Sequence, residues 1–482
     1  MSIKAIDLKD EGFKVAFLEG NFAIDCLEIK LTQIRTDDPQ KYCSPGYILV
    51  SPENGAEMRL VIKRDHDVPH DIFANIRQAS SVNSGELFPE HHFYKLEAHD
   101  VAGYIWTHPA VMLKVDSRKN VDILTFSCDH VDCEFSSVQS ADFTHFIFPS
   151  DLNFPLNGMA TSNDLVGGRE RRSTRFTQSF GTLSGYQTSY YRCSSDKNGR
   201  AFEFIANAVE GKPSPDGFSD RLLEAIRFCS ATMALPVMSD VSRNGQRVIR
   251  LAKTMPLNNG LISRPLLGDA YSLDFYRLMD CYYDYALLNA SGDRGAPLSE
   301  KLGGIFTLKG VWLETIALLL CVTTESILND PLYKPLGKPD GHLLDQINAL
   351  FKWVKRAPLN KNLIMRATSA MGSMKSSRAV DRMHALVKVG AIDEEDISSW
   401  KFLRNASAHG SLKIEVDESQ AMLDHVYRLI SLIYKLVFVK IGYVGKFSNY
   451  GERGWSTRDF DASLSPEQLS IGVAAKKKSG LL

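Results

Sequence analysis

Residues 393–410 read Asp-Glu-Glu-Asp-Ile-Ser-Ser-Trp-Lys-Phe-Leu-Arg-Asn-Ala-Ser-Ala-His-Gly, and this stretch decides the reading of the C-terminal half. Asp393, Glu394, Glu395 and Asp396 gather where carboxylates meet the positive end of a helix dipole. His409 falls in the last turn, where the negative end favours imidazolium. Gly410 can then take the left-handed conformation that stops the helix. Asn405 and His409, four residues apart, share a face. Arg404 is turned roughly 140° from His409, yet its long side chain can curl back. One helix end thus offers a fixed cation, an amide and a titratable imidazole. That set suits a phosphodiester, with guanidinium for the phosphoryl oxygens and imidazole to move a proton near neutral pH. The competing reading is a plain helix terminus carrying a surface histidine.

Working outward, Ser419 to Ile441 is almost continuously apolar, which predicts a helix in the middle of a bundle. Helices are also predicted over Tyr271–Leu288, Lys309–Leu328, His342–Lys355 and Asn362–Val389, the last broken near Gly372. The tail from Gly442 is Gly-rich and aromatic, ends in Lys476-Lys477-Lys478, and is expected to fray. Toward the N-terminus the pattern becomes β. Phe13 to Arg35 alternates over long stretches, and two apolar runs flank Asn54-Gly55, a good hairpin turn. Short strands follow at His92–His99, Val111–Val115, Val121–Cys128 and Phe143–Phe148, suggesting a sandwich or open barrel. Asn153 to Gln178 is polar and Gly-rich, a linker or long loop carrying Arg169, Arg171, Arg172 and Arg175. Ser219 to Met233 has helical spacing, with Ser219 as a candidate N-cap. The expected fold is therefore α+β and multidomain. A β-rich domain covers 1–155, an α+β extension 156–265, an all-α helical bundle 266–445 and a tail 446–482.

The chain has 482 residues, 44% apolar and 23% charged, an ordinary globular composition. Lys and Arg (56) nearly balance Asp and Glu (57), so any nucleic-acid surface must come from local clustering. Such a cluster exists. From Lys352 to Lys388 there are nine basic residues and one acidic, Asp381, a local net of +8. Lys352, Lys355, Arg356, Lys375, Arg378 and Arg382 are the candidate RNA-binding residues, against the alternative of solvated helix faces whose charges do not converge. The longest apolar run near the middle, Ile316–Thr324, is far shorter than the roughly 20 residues of a membrane span, and the opening residues lack a signal core. A cytoplasmic protein with no membrane partner is expected. The eight cysteines are scattered. Cys128, His130 and Cys133 could supply three metal ligands, but no second close pair follows, so buried cysteines in a sheet are the better reading. No metal or other cofactor is expected, and neither a Gly-x-Ser-x-Gly elbow nor a Walker A loop is present.

The string Leu-Arg-Asn-Ala-Ser-Ala-His-Gly over 403–410 resembles the Arg-Asn-x-x-x-His signature of HEPN domains, helical RNases and RNA-binding modules. LLLCVTTESILN, ending at Asn329, is similar to the earlier HEPN helix, with Glu325 in the place of its acidic residue. EGNFAID followed by PGYILVSPENGAEMRLVI resembles the N-terminal domain of ApeA-type anti-phage proteins. The resemblance implies Arg404 and His409 as a catalytic pair, Asn405 as the residue that orients them, and a homodimer with both motifs facing one cleft. It further implies metal-independent cutting of RNA through attack by the ribose 2′-OH, tRNA anticodon loops being one candidate substrate. The N-terminal region would restrain the enzyme until a phage component binds. Glu325 could orient His409, neutralise Arg404 or simply join two helices in an ion pair. The alternative from another class is a non-catalytic RNA- or protein-binding module that dimerises through its bundle.

Overall fold

The structure is a computed structural model. It describes residues 8, 12–34, 37, 39–63, 93–118, 121–136, 141–150, 152–166, 169–183, 186–195, 199–209, 214–255, 262–268, 271–292, 294–308, 310–409 and 419–461. The chain divides into two compact units. The first comprises Met1–Ser219 with Ala234–Leu257, and the second Asp220–Met233 with Asn258–Leu482.

The first unit is built on one antiparallel sheet. A short helix α1 (Gly12–Leu18) precedes β1 (Phe22–Gln33), β2 (Lys41–Ser51), β3 (Gly55–Lys63), β4 (Phe93–Asp100) and β5 (Ile105–Met112). Then come β6 (Lys114–Ser117), β7 (Val121–Cys128), β8 (His130–Ser136) and β9 (Phe143–Phe148). The sheet goes on through β10 (Gly158–Val166), β11 (Arg169–Leu183), β12 (Tyr186–Ser195) and β13 (Gly199–Ala208), and closes with β14 (Met238–Arg243) and β15 (Gln246–Ala252). The strand order is β10-β11-β12-β13-β9-β14-β15-β8-β5-β4-β1-β2-β3-β7-β6. Phe17, Ile29, Leu31, Leu96, Trp106 and Val131 belong to one large core cluster. In β1 the buried positions run Phe22, Ile24, Cys26 and then Ile29, Leu31, Gln33. That change of phase coincides with a register shift between Cys26 and Ile29, the signature of a β-bulge.

The alternation read from Phe13 includes helix α1, and the strand begins only at Phe22, after Gly20 turns the chain at φ +73°. The boundary placed near 155 falls inside the sheet, between β9 and β10. Residues 158–183, expected as linker or loop, form two strands of a hairpin, with Asp164 opposite Arg171 and Asn163 opposite Arg172. Ser- and Thr-rich stretches can pair as strands without the apolar alternation that a buried face imposes. The Asn54-Gly55 turn holds as expected: Ser51 pairs with Gly55, which sits at φ +77°. A Cβ there would lie 2.3 Å from the carbonyl oxygen of Cys128, so glycine is required by both conformation and close approach. By contrast, Gly103 at φ +91° has nothing within 4 Å of such a Cβ.

The second unit is helical. It holds α2 (Phe218–Ser230) from Asp220 onward, then α3 (Ser272–Asn289), α4 (Pro297–Phe306) and α5 (Leu313–Leu328). After these come α6 (Gly341–Arg356), α7 (Lys361–Met374), α8 (Ala379–Lys388), α9 (Glu394–His409) and α10 (Ser419–Ile441). Helix α10 packs against α3, α5 and α9, as its apolar sequence requires. Asp340 caps α6 by accepting the Leu343 N–H at 2.7 Å. The break expected near Gly372 comes after Met374, and Gly372 remains helical. The tail is not frayed at its start. β16 (Gly445–Ser448) pairs with β17 (Thr457–Phe460), and Phe447 and Phe460 bury their rings against Phe438. Among the described residues, no helix is long and apolar enough to cross a membrane.

One buried charge joins α9 to α10. Lys435 Nζ lies 2.8 Å from Asp396 and 2.7 Å from Asp393. Burial opposes its charge, but the two carboxylates outweigh burial and hold the ammonium above the ordinary lysine value. Removing one partner would strand the other in the interior, at a cost of about 3–5 kcal/mol. Lys435→Met should therefore lower stability to urea by roughly that amount, and Lys435→Met with Asp396→Leu should recover much of it. In the sheet unit, Gly55→Ala should cost at least about 2 kcal/mol by the same measurement, and Gly103→Ala clearly less. Equal losses at the two glycines would show that the Cys128 contact is unimportant.

Candidate functional site

Helix α9 presents Arg404 to an acidic partner on α5. Arg404 Nε donates to Glu325 Oε1 at 2.7 Å. Both side chains are partly exposed, 53% for Arg404 and 37% for Glu325. Beneath the guanidinium lies the ring of Trp400, one turn earlier, with Cζ 5.5 Å from its centroid. Trp400 is buried, and among the described residues its indole N–H finds no acceptor. Arg404 is thus pinned from two sides while one edge stays open to solvent. Asn405, next in sequence, is exposed. The helix ends at His409 as expected, but the His409 side chain and Gly410 lie outside the described residues. Of the three roles open to Glu325, the geometry shows a partner for Arg404. The sequence allowed that pairing but did not single it out.

The basic stretch separates into two classes. Lys352, Lys355, Arg356 and Lys375 are exposed, and Lys355 and Lys375 each place Nζ 4.7 Å from the ring centroid of Phe351. Trp353, 66% exposed, stands among them, an aromatic that charge counting overlooks. Arg378 is exposed but engaged with Asp381 at 3.0 Å, where it caps α8. Arg382 must be struck from the RNA-facing set. It is 8% exposed and donates to the Leu328 carbonyl, Asn329 Oδ1 and both the carbonyl and hydroxyl of Ser377. Its work is to tie the C-terminus of α5 to α8 by satisfying buried acceptors.

A cavity of about 380 Å³ opens among α2, α3 and α4. Its buried Glu224 accepts from Arg221, from Ser299 Oγ and from the Ala296 N–H at 3.0 Å, a network that closes on itself.

In the sheet unit, His108, Asp129 and His130 bring potential ligand atoms within 4.8 Å of one another. Their hydrogen bonds argue against a metal. The Ala110 N–H donates to His108 Nδ1 at 3.1 Å, so the neutral ring carries its proton on Nε2. That atom faces Asp129 Oδ1 at 3.3 Å as a donor, with no lone pair to offer an ion. His130 Nδ1 shares the same carboxylate oxygen at 2.9 Å. Cys128 and Cys133 stand outside this group, and burial pushes both thiols up to about 12. The Cys128/His130/Cys133 set therefore does not assemble.

No family model, curated protein or solved structure matches this chain.

Burial first, and then the charge of His130, hold His108 below the ordinary histidine value. The folded state then binds this proton less readily than the unfolded chain. Stability contributed by neutral His108 is present above about pH 6.5 and is lost as the pH falls through its depressed folded value. Thermal unfolding followed from pH 7.5 to 5 should show a fall that is shallower in His108→Asn. Parallel profiles for the two proteins would rule the effect out.

Proposed function

We propose that this protein is a HEPN-like, metal-independent endoribonuclease acting as a homodimer through its helical unit. The observation that carries the reading is the solvent-open Arg404 held by Glu325 and Trp400 on the helix that ends at His409. In the proposed reaction, His409 assists removal of the ribose 2′-OH proton and Arg404 stabilises the charge on the phosphorane. The 2′-oxygen forms the new bond to phosphorus, the 5′-oxygen leaves and takes a proton, and a cyclic phosphate remains. DNA, lacking the 2′-OH, is spared. Exposed Lys352, Lys355, Arg356 and Lys375, with Trp353 among them, offer phosphate contacts and a stacking surface beside the bundle. The cellular role that goes with this reading is anti-phage defence. The sheet unit then acts as sensor or restraint, and tRNA is one RNA to test.

A second reading has its own support. Because Glu325 already engages Arg404, the pair could serve only to join α5 and α9 in a non-catalytic RNA- or protein-binding module.

Cleavage of total RNA in EDTA separates the two. The wild type should cut, His409→Ala and Arg404→Ala should each lose about 10²-fold or more, and Glu325→Gln should stay within about tenfold of wild type. Identical RNA patterns with wild type and His409→Ala would favour the binding module. Activity abolished by EDTA would instead indicate a metal-dependent nuclease.

A further inference from the structure

A second feature of the helical unit is a cavity of about 660 Å³ between the outer face of α9, the start of α10 and the loop joining β16 to β17. That size lies within the range of small-molecule sites. Its wall is aromatic: the Trp455 ring stands 5.2 Å from both Tyr427 and Tyr450. The loop that carries Trp455 is held at several points. Asn449 Oδ1 accepts from Ser431 Oγ at 3.0 Å and from the Gly451 N–H at 3.1 Å. Arg428 donates to the Gly451 carbonyl at 2.8 Å, and the Trp455 N–H reaches the Glu452 carbonyl at 3.1 Å.

The backbone at Trp455 is in the left-handed region, φ +51°, which a bulky residue seldom adopts. The preceding Gly454, at φ +82°, adopts it without strain. Yet Trp455 remains 37% exposed, so complete burial of the ring is not what sustains the conformation. Strain of this kind, kept in place by surrounding hydrogen bonds, points to a ligand contact.

The charges around the cavity compensate one another. Arg453 pairs with Asp424 at 2.9 Å and Arg458 with Glu452 at 2.8 Å. No net positive field is left to attract a phosphate. Glu395 and Arg428 also line the cavity, one of each sign, and beside the aromatic rings stand neutral hydrogen-bonding groups: Ser398, Ser399, Gln420 and His425. His425 Nδ1 is 3.0 Å from Ser399 Oγ, and its ring lies 4.4 Å from that of Phe402. Burial, then Arg428, lowers its proton affinity and favours the uncharged ring. A flat, neutral heteroaromatic with donors and acceptors on its edge fits such a wall, and nucleobases are of that kind.

We propose that the Trp455–Tyr427–His425 cavity holds a nucleobase splayed out of single-stranded RNA. The polymer's identity rests on the ribonuclease reading; the stacking site itself does not. Glu395 lines the cavity and Phe402 sits on His425. Positions 395, 402 and 409 are successive sevens on α9, so position 409 continues this stripe about 10 Å beyond Phe402. A single strand could occupy the cavity and reach the end of α9 together.

The test uses full-length protein, a fluorescein-labelled 12-nucleotide RNA, its duplex, and GMP and AMP as competitors. Trp455→Gly removes the ring and relieves the backbone, which offsets part of the packing lost on Tyr427 and Tyr450, so the variant should stay folded with a lowered melting temperature. It should bind the single strand about tenfold more weakly and the duplex equally well. Trp455→Phe should keep most of the affinity. Unchanged single-strand affinity in folded Trp455→Gly would overturn the proposal. Loss of stability without loss of affinity would also overturn it, making Trp455 a packing residue. Displacement of the RNA by micromolar GMP or AMP would overturn the RNA assignment and give the cavity to free nucleotides. Cleavage that survives His409→Ala sinks the ribonuclease reading alone, because the stacking measurement does not depend on cutting.

Discussion

The ammonium of Lys435, enclosed by Asp396 and Asp393, is the constraint from which the rest of the helical unit follows. The stretch of α10 from Leu429 to Val439 is otherwise nearly all apolar, and apolar surfaces alone tolerate small slips of one helix along another. A buried ammonium facing a buried carboxylate does not, because a shift of one turn would leave Lys435 and Asp396 ionised in the interior without each other, while Asp393 is 60% exposed and hydrated either way. The ion pairs therefore give α9 a defined register against α10. The same register places Arg404 beside Glu325 on one side of α9, and Ser399 and Phe402 beside His425 on another.

How much of this could be read from the sequence depended on whether a signal was local. The limits of α9 were legible because the cue of acidic residues at its start and the extent of its helical pattern lie within the segment itself. The partner of Lys435 was not, since a lysine within an apolar run looks the same whether it meets solvent or a carboxylate from another helix. Arg382 was misassigned for a related reason. Counting charge treats every basic residue as outward, whereas this one satisfies the end of α5. The β10–β11 hairpin was missed because its polar sequence carries no alternation to detect. Trp455 lay in a Gly-rich tail that resembles a frayed end, and its positive φ has no counterpart in composition.

The sheet unit teaches the same lesson from the other direction. Strands β1 to β4, β7 and β9 were legible because a half-buried strand must alternate, whereas β8 was not read and one short strand at Val111–Val115 stood for the end of β5 and the start of β6. The bulge in β1 shows as a break in that alternation, and Asn54-Gly55 marks its hairpin. What the alternation could not reveal is that β14 and β15, after a helix that belongs to the other unit, return to join β9 and β8. Such a long-range pairing is decided by which edges remain unfilled, not by local pattern.

On the proposed reading, the Arg404–Glu325 pair raises a question of competition, because a phosphate must attract a guanidinium that already has a carboxylate. Exposure decides the answer. Ion pairs open to water contribute about 0–1 kcal/mol, since solvent screens both charges and each remains hydrated. Both partners here are open to that degree of solvation. A phosphodiester oxygen could therefore take over the guanidinium edge at little cost, while Trp400 beneath keeps the group from swinging away. Had the pair been buried like Asp396 and Lys435, exchange would cost several kcal/mol, and Arg404 would be a structural residue only. The difference between these two ion pairs on one helix, one closed and one open, is the physical ground for assigning scaffolding to the first and chemistry to the second.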